Sequence, residues 1–296
     1  MTASTNKLME FFLLGLLALL WGSSYFLIKV AVSEITPVTL IAIRVFGAAL
    51  FLNAVLVWRR EGLPRDGRTW KMLSVQAFFN SIGAWTVLAW GQQYVDSGLA
   101  SVLNSTSPIF VFLFTSLVTH HEKTGGLKLL GACLGLLGVT LIVGVDALAG
   151  LGQQVAGQLA ALAGAILYAC AAIYSKRFSH LPATVTATGT MILASAVLIP
   201  VAFIIEQPLA LTPSLPALLA ALTLSVLCTG CALLIYFRLV NTLGSMGVAS
   251  QAYLRAGVGV LLGIVFLGEQ ITMLIGFGLV AAILGVAAIN MPIRER

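Results

Sequence analysis

A rhythm of apolar runs limits this chain to one kind of fold. Windows of about 20 residues, the length that crosses the hydrocarbon core of a bilayer as a helix, pick out ten runs. They lie near 9 to 32, 38 to 58, 69 to 94, 97 to 119, 126 to 145, 157 to 178, 184 to 205, 214 to 240, 245 to 267 and 270 to 291. Helix breakers fall between them: Pro37, Gly62 with Pro64, Gly125 with Gly126, the stretch Gly150 to Gly157, Pro182, and Pro208 with Pro213. Composition agrees, because 59% of the residues are hydrophobic and only 9% charged, where soluble domains carry about 25% charge. The expected class is an all-α integral membrane protein with ten transmembrane helices, embedded in the lipid bilayer.

The net charge of +6 does not point to nucleic acid. That partner needs basic residues gathered on one face of a soluble domain, whereas here they sit in short loops between apolar runs. The cysteines, Cys133, Cys170, Cys228 and Cys231, lie inside those runs. Cys228 and Cys231, on one helix, lack the loops and further ligands of a zinc site and read as packing residues. No metal or cofactor is implied. The first run has one preceding lysine, Lys7, and no small-residue cleavage site after it, so it reads as a retained span.

Orientation follows from lysine and arginine, which stay in cytoplasmic loops. With the N-terminus inside, the inner loops collect Lys7, Arg59, Arg60, Arg65, Arg68, Lys71, Lys123, Lys128, Lys176, Arg177, Arg238, Arg294 and Arg296, 13 of the 16 cations. The outer loops collect none and hold Glu34, Asp96, Asp146, Glu206 and Glu269. Both termini are therefore expected in the cytoplasm, with the chain in the cell inner membrane. The remaining cations, Lys29, Arg44 and Arg255, lie within spans. Lys29 and Arg44 sit near the outer surface, where they can snorkel and read as structural anchors.

Sliding the chain on itself by 147 or 148 residues pairs Trp21 with Tyr168, Lys29 with Lys176 and Ser107 with Arg255. It also pairs Gly131, Gly135 and Gly138 with Gly278, Ala282 and Gly285. Each unit, 1–147 and 148–296, holds five spans, and an odd number turns the second copy upside down. Two inverted five-helix repeats are the plan of secondary transporters, whose sites lie at the midplane between copies. The glycine rows on spans 5 and 10 read as surfaces for close helix packing.

The runs WGSSYFLIK from Trp21, ASVLNSTSPIFVFL from Ala100 and YLRAGVGVLLGIVFLGE from Tyr253, with Arg44 on span 2, resemble the EamA branch of the drug/metabolite transporter superfamily over nearly the whole chain. The resemblance implies a basket-like ten-helix bundle moving small metabolites, most similar to the YddG-type amino-acid exporters. Two positions depart from the pattern: Ala256 replaces the usual proline of span 9, and His120 and His121 replace the Gly-Glu that usually ends span 4.

Candidate solute contacts are polar and aromatic residues halfway along spans. On span 4, Ser101, Asn104, Ser105 and Pro108 follow the spacing of one helical face, and Pro108 should kink the helix by removing a backbone hydrogen bond. On span 9, Gln251 and Arg255 share a face, and no acidic residue in the middle of any span neutralises the arginine. Such a charge is costly near the bilayer centre and marks a functional position. Trp21, Ser24 and Tyr25 share a face of span 1, matched by Tyr168 on span 6. Asn80 and Trp85 on span 3 lie near the middle but on different faces, so at most one lines a cavity. Tyr253 joins the contacts, and Gly257 joins Pro108 as a candidate hinge.

A fixed guanidinium beside amides, hydroxyls and aromatic walls suits a zwitterion, with arginine forking onto the carboxylate and rings taking the side chain. Amino acids fit, as do other organic anions and drugs, and the choice of amino acids rests on the resemblance. Export by alternating access from a monomer is the expected function. With the carboxylates at span ends or in loops, the sequence leans towards downhill movement rather than a proton relay. His120, His121, His180 and Glu122 lack the spacing of a metalloenzyme. An enzyme or a channel is the less favoured class.

Overall fold

The computed structural model describes residues 7–91, 94, 97–119, 125–144, 148, 151, 154–267 and 273–291. Among them all regular structure is helical, and eight helices are long and apolar enough to cross a membrane. In chain order the α-helices are α1 (Lys7–Val32), α2 (Pro37–Trp58), α3 (Gly67–Ala77), α4 (Gly83–Gly91), α5 (Ser97–Asn104), α6 (Ser107–Phe114) and α7 (Gly126–Val143). They continue with α8 (Val155–Ser175), α9 (Ala183–Ile205), α10 (Leu215–Ser225), α11 (Ala232–Ala249), α12 (Gln251–Leu267) and α13 (Met273–Asn290). Two further expected spans fall outside those eight: α3 with α4, joined by a wide π-helical turn, Phe78–Ile82, and α12, described over 17 residues.

Span 4 is also divided, and here the sequence gives the cause. Pro108 has no amide hydrogen, and the chain breaks between Asn104 and Ser107. The break closes on itself through Thr106 N–H and Thr106 Oγ, both donating to the Leu103 carbonyl at 3.2 and 2.6 Å. On α12, where Ala256 stands in place of a proline, the helix runs unbroken from Gln251. The tight junction between spans 8 and 9 falls inside α11 at Gly244, whose φ of 82° is a conformation glycine adopts without strain.

Span 8 carries its own π-helical turn, Val226–Cys231, between α10 and α11. It begins 148 positions after the one in span 3, the offset found in the sequence. The most extensive helix pairings, α7 with α13, α2 with α9, α4 with α8 and α1 with α12, all join the first half of the chain to the second. The α7–α13 pair is a backbone-to-backbone contact: a methyl group at Gly138 would lie 2.5 Å from the Ala282 amide nitrogen, and one at Gly285 would lie 2.6 Å from the Gly131 carbonyl oxygen. The small-residue rows thus do the packing job their spacing suggested.

At the end of the bundle that carries Glu34 and Glu206, two carboxylates cross between halves. Glu206, at the end of α9, accepts from the amides of Val38 and Thr39 at 3.1 and 2.7 Å, capping the start of α2. Glu34, after α1, accepts from the Ser214 amide at 2.6 Å and the Ser214 hydroxyl at 2.7 Å, capping α10. At the opposite end Glu10 is buried on α1 and pairs with Arg238 at 2.9 Å, while the Thr242 hydroxyl donates to it at 2.8 Å.

Candidate functional site

The site is built where α12 crosses α1. Gly22 makes the crossing possible: a methyl group there would lie 2.8 Å from Val258 Cβ and 3.4 Å from the Arg255 carbonyl oxygen. The close approach sets Arg255 against Trp21, its neighbour in space though 234 residues away in sequence. The guanidinium carbon lies 4.9 Å from the centre of the Trp21 ring and 6.0 Å from that of Tyr168. Its Nε donates to Gln251 Oε1 at 2.7 Å, the i, i+4 contact expected on one helical face. Among the described residues no carboxylate pairs with Arg255, and its two terminal amino groups make no hydrogen bond.

These side chains border a cavity of about 20 Å³ together with Asn104, Ser107, Tyr236 and the small residues Ala172, Val248, Ala249 and Ala252. Asn104 belongs to the last turn of α5, just before the break that Pro108 imposes. Its side chain is 7% exposed and its Oδ1 has no hydrogen-bond partner. Buried polar atoms are almost always satisfied, and this acceptor is left over on a residue that borders the cavity. Tyr236 closes another side, its ring 5.5 Å from that of Trp21 and its hydroxyl 3.3 Å from Ser175 Oγ. Ser175 Oγ in turn accepts from Gln76 Nε2 at 2.9 Å, which fixes the tyrosine and turns its ring to the cavity.

Of the candidates read from the sequence, the fold brings together Trp21, Asn104, Tyr168, Gln251 and Arg255. Others are engaged elsewhere. Ser24 donates to the Trp21 carbonyl at 2.6 Å, and Asn80 to Ser81 Oγ at 3.1 Å. Ser105 is buried away from the cavity wall. Trp85 lies 4.2 Å beneath the Arg44 guanidinium. Tyr253 is fully buried between helices, its hydroxyl donating to the Ala132 carbonyl at 2.9 Å and its ring against Gly135. The side chains of Tyr25, Lys29 and Ser101, and residues 120–122 with both histidines, lie outside the described residues.

Of the two candidate hinges, Pro108 lies in the first turn of α6, just after the break, and Gly257 lies within continuous α12. Arg44 is buried, not snorkelling: its Nε donates to Thr229 Oγ at 2.6 Å. Two polar or aromatic wall residues, Ser107 and Tyr236, are not among the solute contacts expected from the sequence. Ser107 could have been found as the repeat partner of Arg255, but Tyr236 sits in the run ALLIYFRLV, where nothing marks it. Among the described residues no three His, Cys, Asp or Glu side chains gather as a metal site would require.

A guanidinium with no carboxylate partner among the described residues, set beside aromatic rings and an unpartnered amide oxygen inside an apolar helical bundle, is the kind of grouping from which membrane transport proteins build solute sites. The model of the EamA-like transporter family matches the chain twice, over residues 8–144 and 155–291, and the chain belongs to that family. Relatives are the "Uncharacterized transporter YoaV" of Bacillus subtilis (strain 168), 26% identical over 90% of this chain and 92% of its own, and the "Uncharacterized inner membrane transporter YedA" of Escherichia coli (strain K12), 29% identical over 86% of this chain and 82% of its own. One crystal structure shares the fold at a TM-score of 0.80 and 18% identity, covering 95% of this chain and 97% of its own.

Proposed function

We propose that the protein is a secondary carrier that exports neutral and aromatic amino acids by alternating access. The observation that carries this reading is the pairing of opposite hydrogen-bonding needs across one small cavity: the open donors of Arg255 and the orphaned acceptor of Asn104. A zwitterion meets both, its carboxylate forked by the guanidinium and its ammonium held by the amide oxygen. Trp21, Tyr168 and Tyr236 offer ring faces to its side chain. An organic anion without an ammonium would leave Asn104 unmet.

The architecture we propose is ten spans, the divided α3–α4 segment and α12 completing the eight, arranged as two inverted five-helix repeats, 1–147 and 148–296. The twofold match of the family model and the equal offset of the two π-helical turns support it. An inner-membrane location with both termini cytoplasmic is supported by the lysine and arginine distribution and by the name of the YedA relative.

The test is efflux of a panel of labelled amino acids from proteoliposomes, with and without a pH gradient. Wild type is expected to release neutral and aromatic amino acids, and Arg255→Ala to lose about tenfold or more, the scale of one charge-assisted fork. Equal transport by Arg255→Ala would remove the carboxylate role given to Arg255. Release of anions lacking an amino group in preference to amino acids would favour a metabolite exporter instead.

A further inference from the structure

A carrier closes over its site twice in each cycle, once loaded and once empty. When the site is loaded, the solute carboxylate neutralises Arg255. When it is empty, the guanidinium would be enclosed alone, and an uncompensated ion in a closed apolar site is strongly disfavoured. A carrier with that penalty cannot return empty and is confined to exchanging one solute for another.

As built, the site leaves no room for a solute. A cavity of about 20 Å³ has room for little more than one water molecule and none for an amino acid. With so little room, the guanidinium lies over the Trp21 ring at 4.9 Å, with Tyr168 at 6.0 Å and Gln251 Oε1 accepting from Nε at 2.7 Å. The face of an aromatic ring is its negative side, and attraction to a cation grows when water is excluded. A solute side chain that stacks on Trp21 needs the same ring face, so the guanidinium and the solute compete for it. On loading, the guanidinium exchanges the ring for the carboxylate.

We infer that Trp21 is the surrogate ligand of Arg255 in the empty site. It lets the empty carrier close and return, so the protein releases its solute in net one-way transport without a counter-solute. This rests on the carrier reading above and adds the mode of transport and the residue that sets it.

The test compares two rates in proteoliposomes preloaded with labelled phenylalanine: efflux into solute-free buffer, which requires empty return, and efflux into saturating unlabelled phenylalanine, which does not. For wild type, net efflux is expected within about threefold of exchange. Trp21→Leu removes the ring face, and the ratio of net efflux to exchange should fall about tenfold or more, the equivalent of a desolvated cation–π contact. Trp21→Phe, which keeps a weaker ring, should fall between, and it carries the test should Trp21→Leu fold poorly. Adding Gln251→Glu to Trp21→Leu places a carboxylate on the guanidinium and should raise the ratio again. A wild type that only exchanges, or a ratio unmoved in both Trp21 variants, overturns the inference. Absence of phenylalanine movement in either mode overturns the carrier reading itself.

Discussion

Arg44 and Arg255 are both guanidiniums within the helical bundle, and what they touch separates their roles. Arg44 is buried, bonded to Thr229 Oγ at 2.6 Å and stacked on Trp85 at 4.2 Å. Its neighbours are part of the fold, and it braces the π-helical turn that contains Thr229. Arg44→Ala would take the donor from Thr229 Oγ, which keeps its own bond to the Leu224 carbonyl at 2.8 Å, and uncover the Trp85 ring face. It is expected to destabilise the protein by about 2 kcal/mol or more, read as a lower melting temperature in detergent, with the KM for solute unchanged. Arg255 faces a cavity with donors to spare. The sequence marked both as charges in apolar runs but could not tell them apart, because the distinguishing partners, Thr229 and Trp85 for one and Trp21 for the other, are remote in the chain. Tyr236 shows the opposite limit: an aromatic in an apolar run carries no sign of whether it packs or lines a cavity.

Helices meet here through their smallest residues, and this makes some glycines replaceable and others not. Gly138→Ala drives a methyl group to 2.5 Å from the Ala282 amide nitrogen and 2.7 Å from the Gly278 carbonyl oxygen, backbone atoms that cannot swing aside. Gly15 has nothing within 4 Å of the same methyl. Thermal unfolding should show Gly138→Ala destabilised by about 1–3 kcal/mol, the usual range for overpacking, and Gly15→Ala neutral or slightly stabilised, as a helix interior favours alanine.

The carboxylate caps give the helices of one end a pH dependence. Burial pushes the Glu206 carboxyl up, but the hydrogen bonds it accepts at the start of α2 outweigh this and leave it below its ordinary value of 4.5. Hydrogen bonds from Ser214 hold Glu34 below 4.5 as well. A carboxyl with a depressed folded pKa stabilises above its unfolded value and loses that contribution as pH falls through the folded one. Melting temperature should therefore hold its level down to about pH 4.5 on account of these caps and drop below it. Glu206→Gln should melt lower at pH 7 and show a shallower acid drop; identical acid profiles would mean the caps contribute nothing.

At the scale of the whole molecule, the two halves interlock rather than sit side by side, since the main helix pairings and both carboxylate caps run between them. Sidedness is open to a direct check. In a background lacking the native cysteines, a single cysteine at Gly62 should react with a membrane-impermeant maleimide only after cells are broken, and one at Pro208 should react in intact cells. The reverse pattern would invert the topology. The sequence by itself determined the class of the protein and eight of the helical spans it was read to hold, because crossing a bilayer demands long apolar helices and leaves that demand written in local composition. It also determined the break at Pro108, where one residue removes one hydrogen bond, and the close pairing of glycine rows. The tertiary structure decided which midspan residues meet. Trp21 reaches Arg255 because Gly22 admits α12, and Asn104, at the break in span 4, borders the same cavity. Tyr253 and Trp85, equal in composition to the wall residues, are taken up by packing instead. A side chain's residue type is local, but what surrounds it depends on contacts between helices far apart in the chain, and only those contacts set a cavity apart from a core.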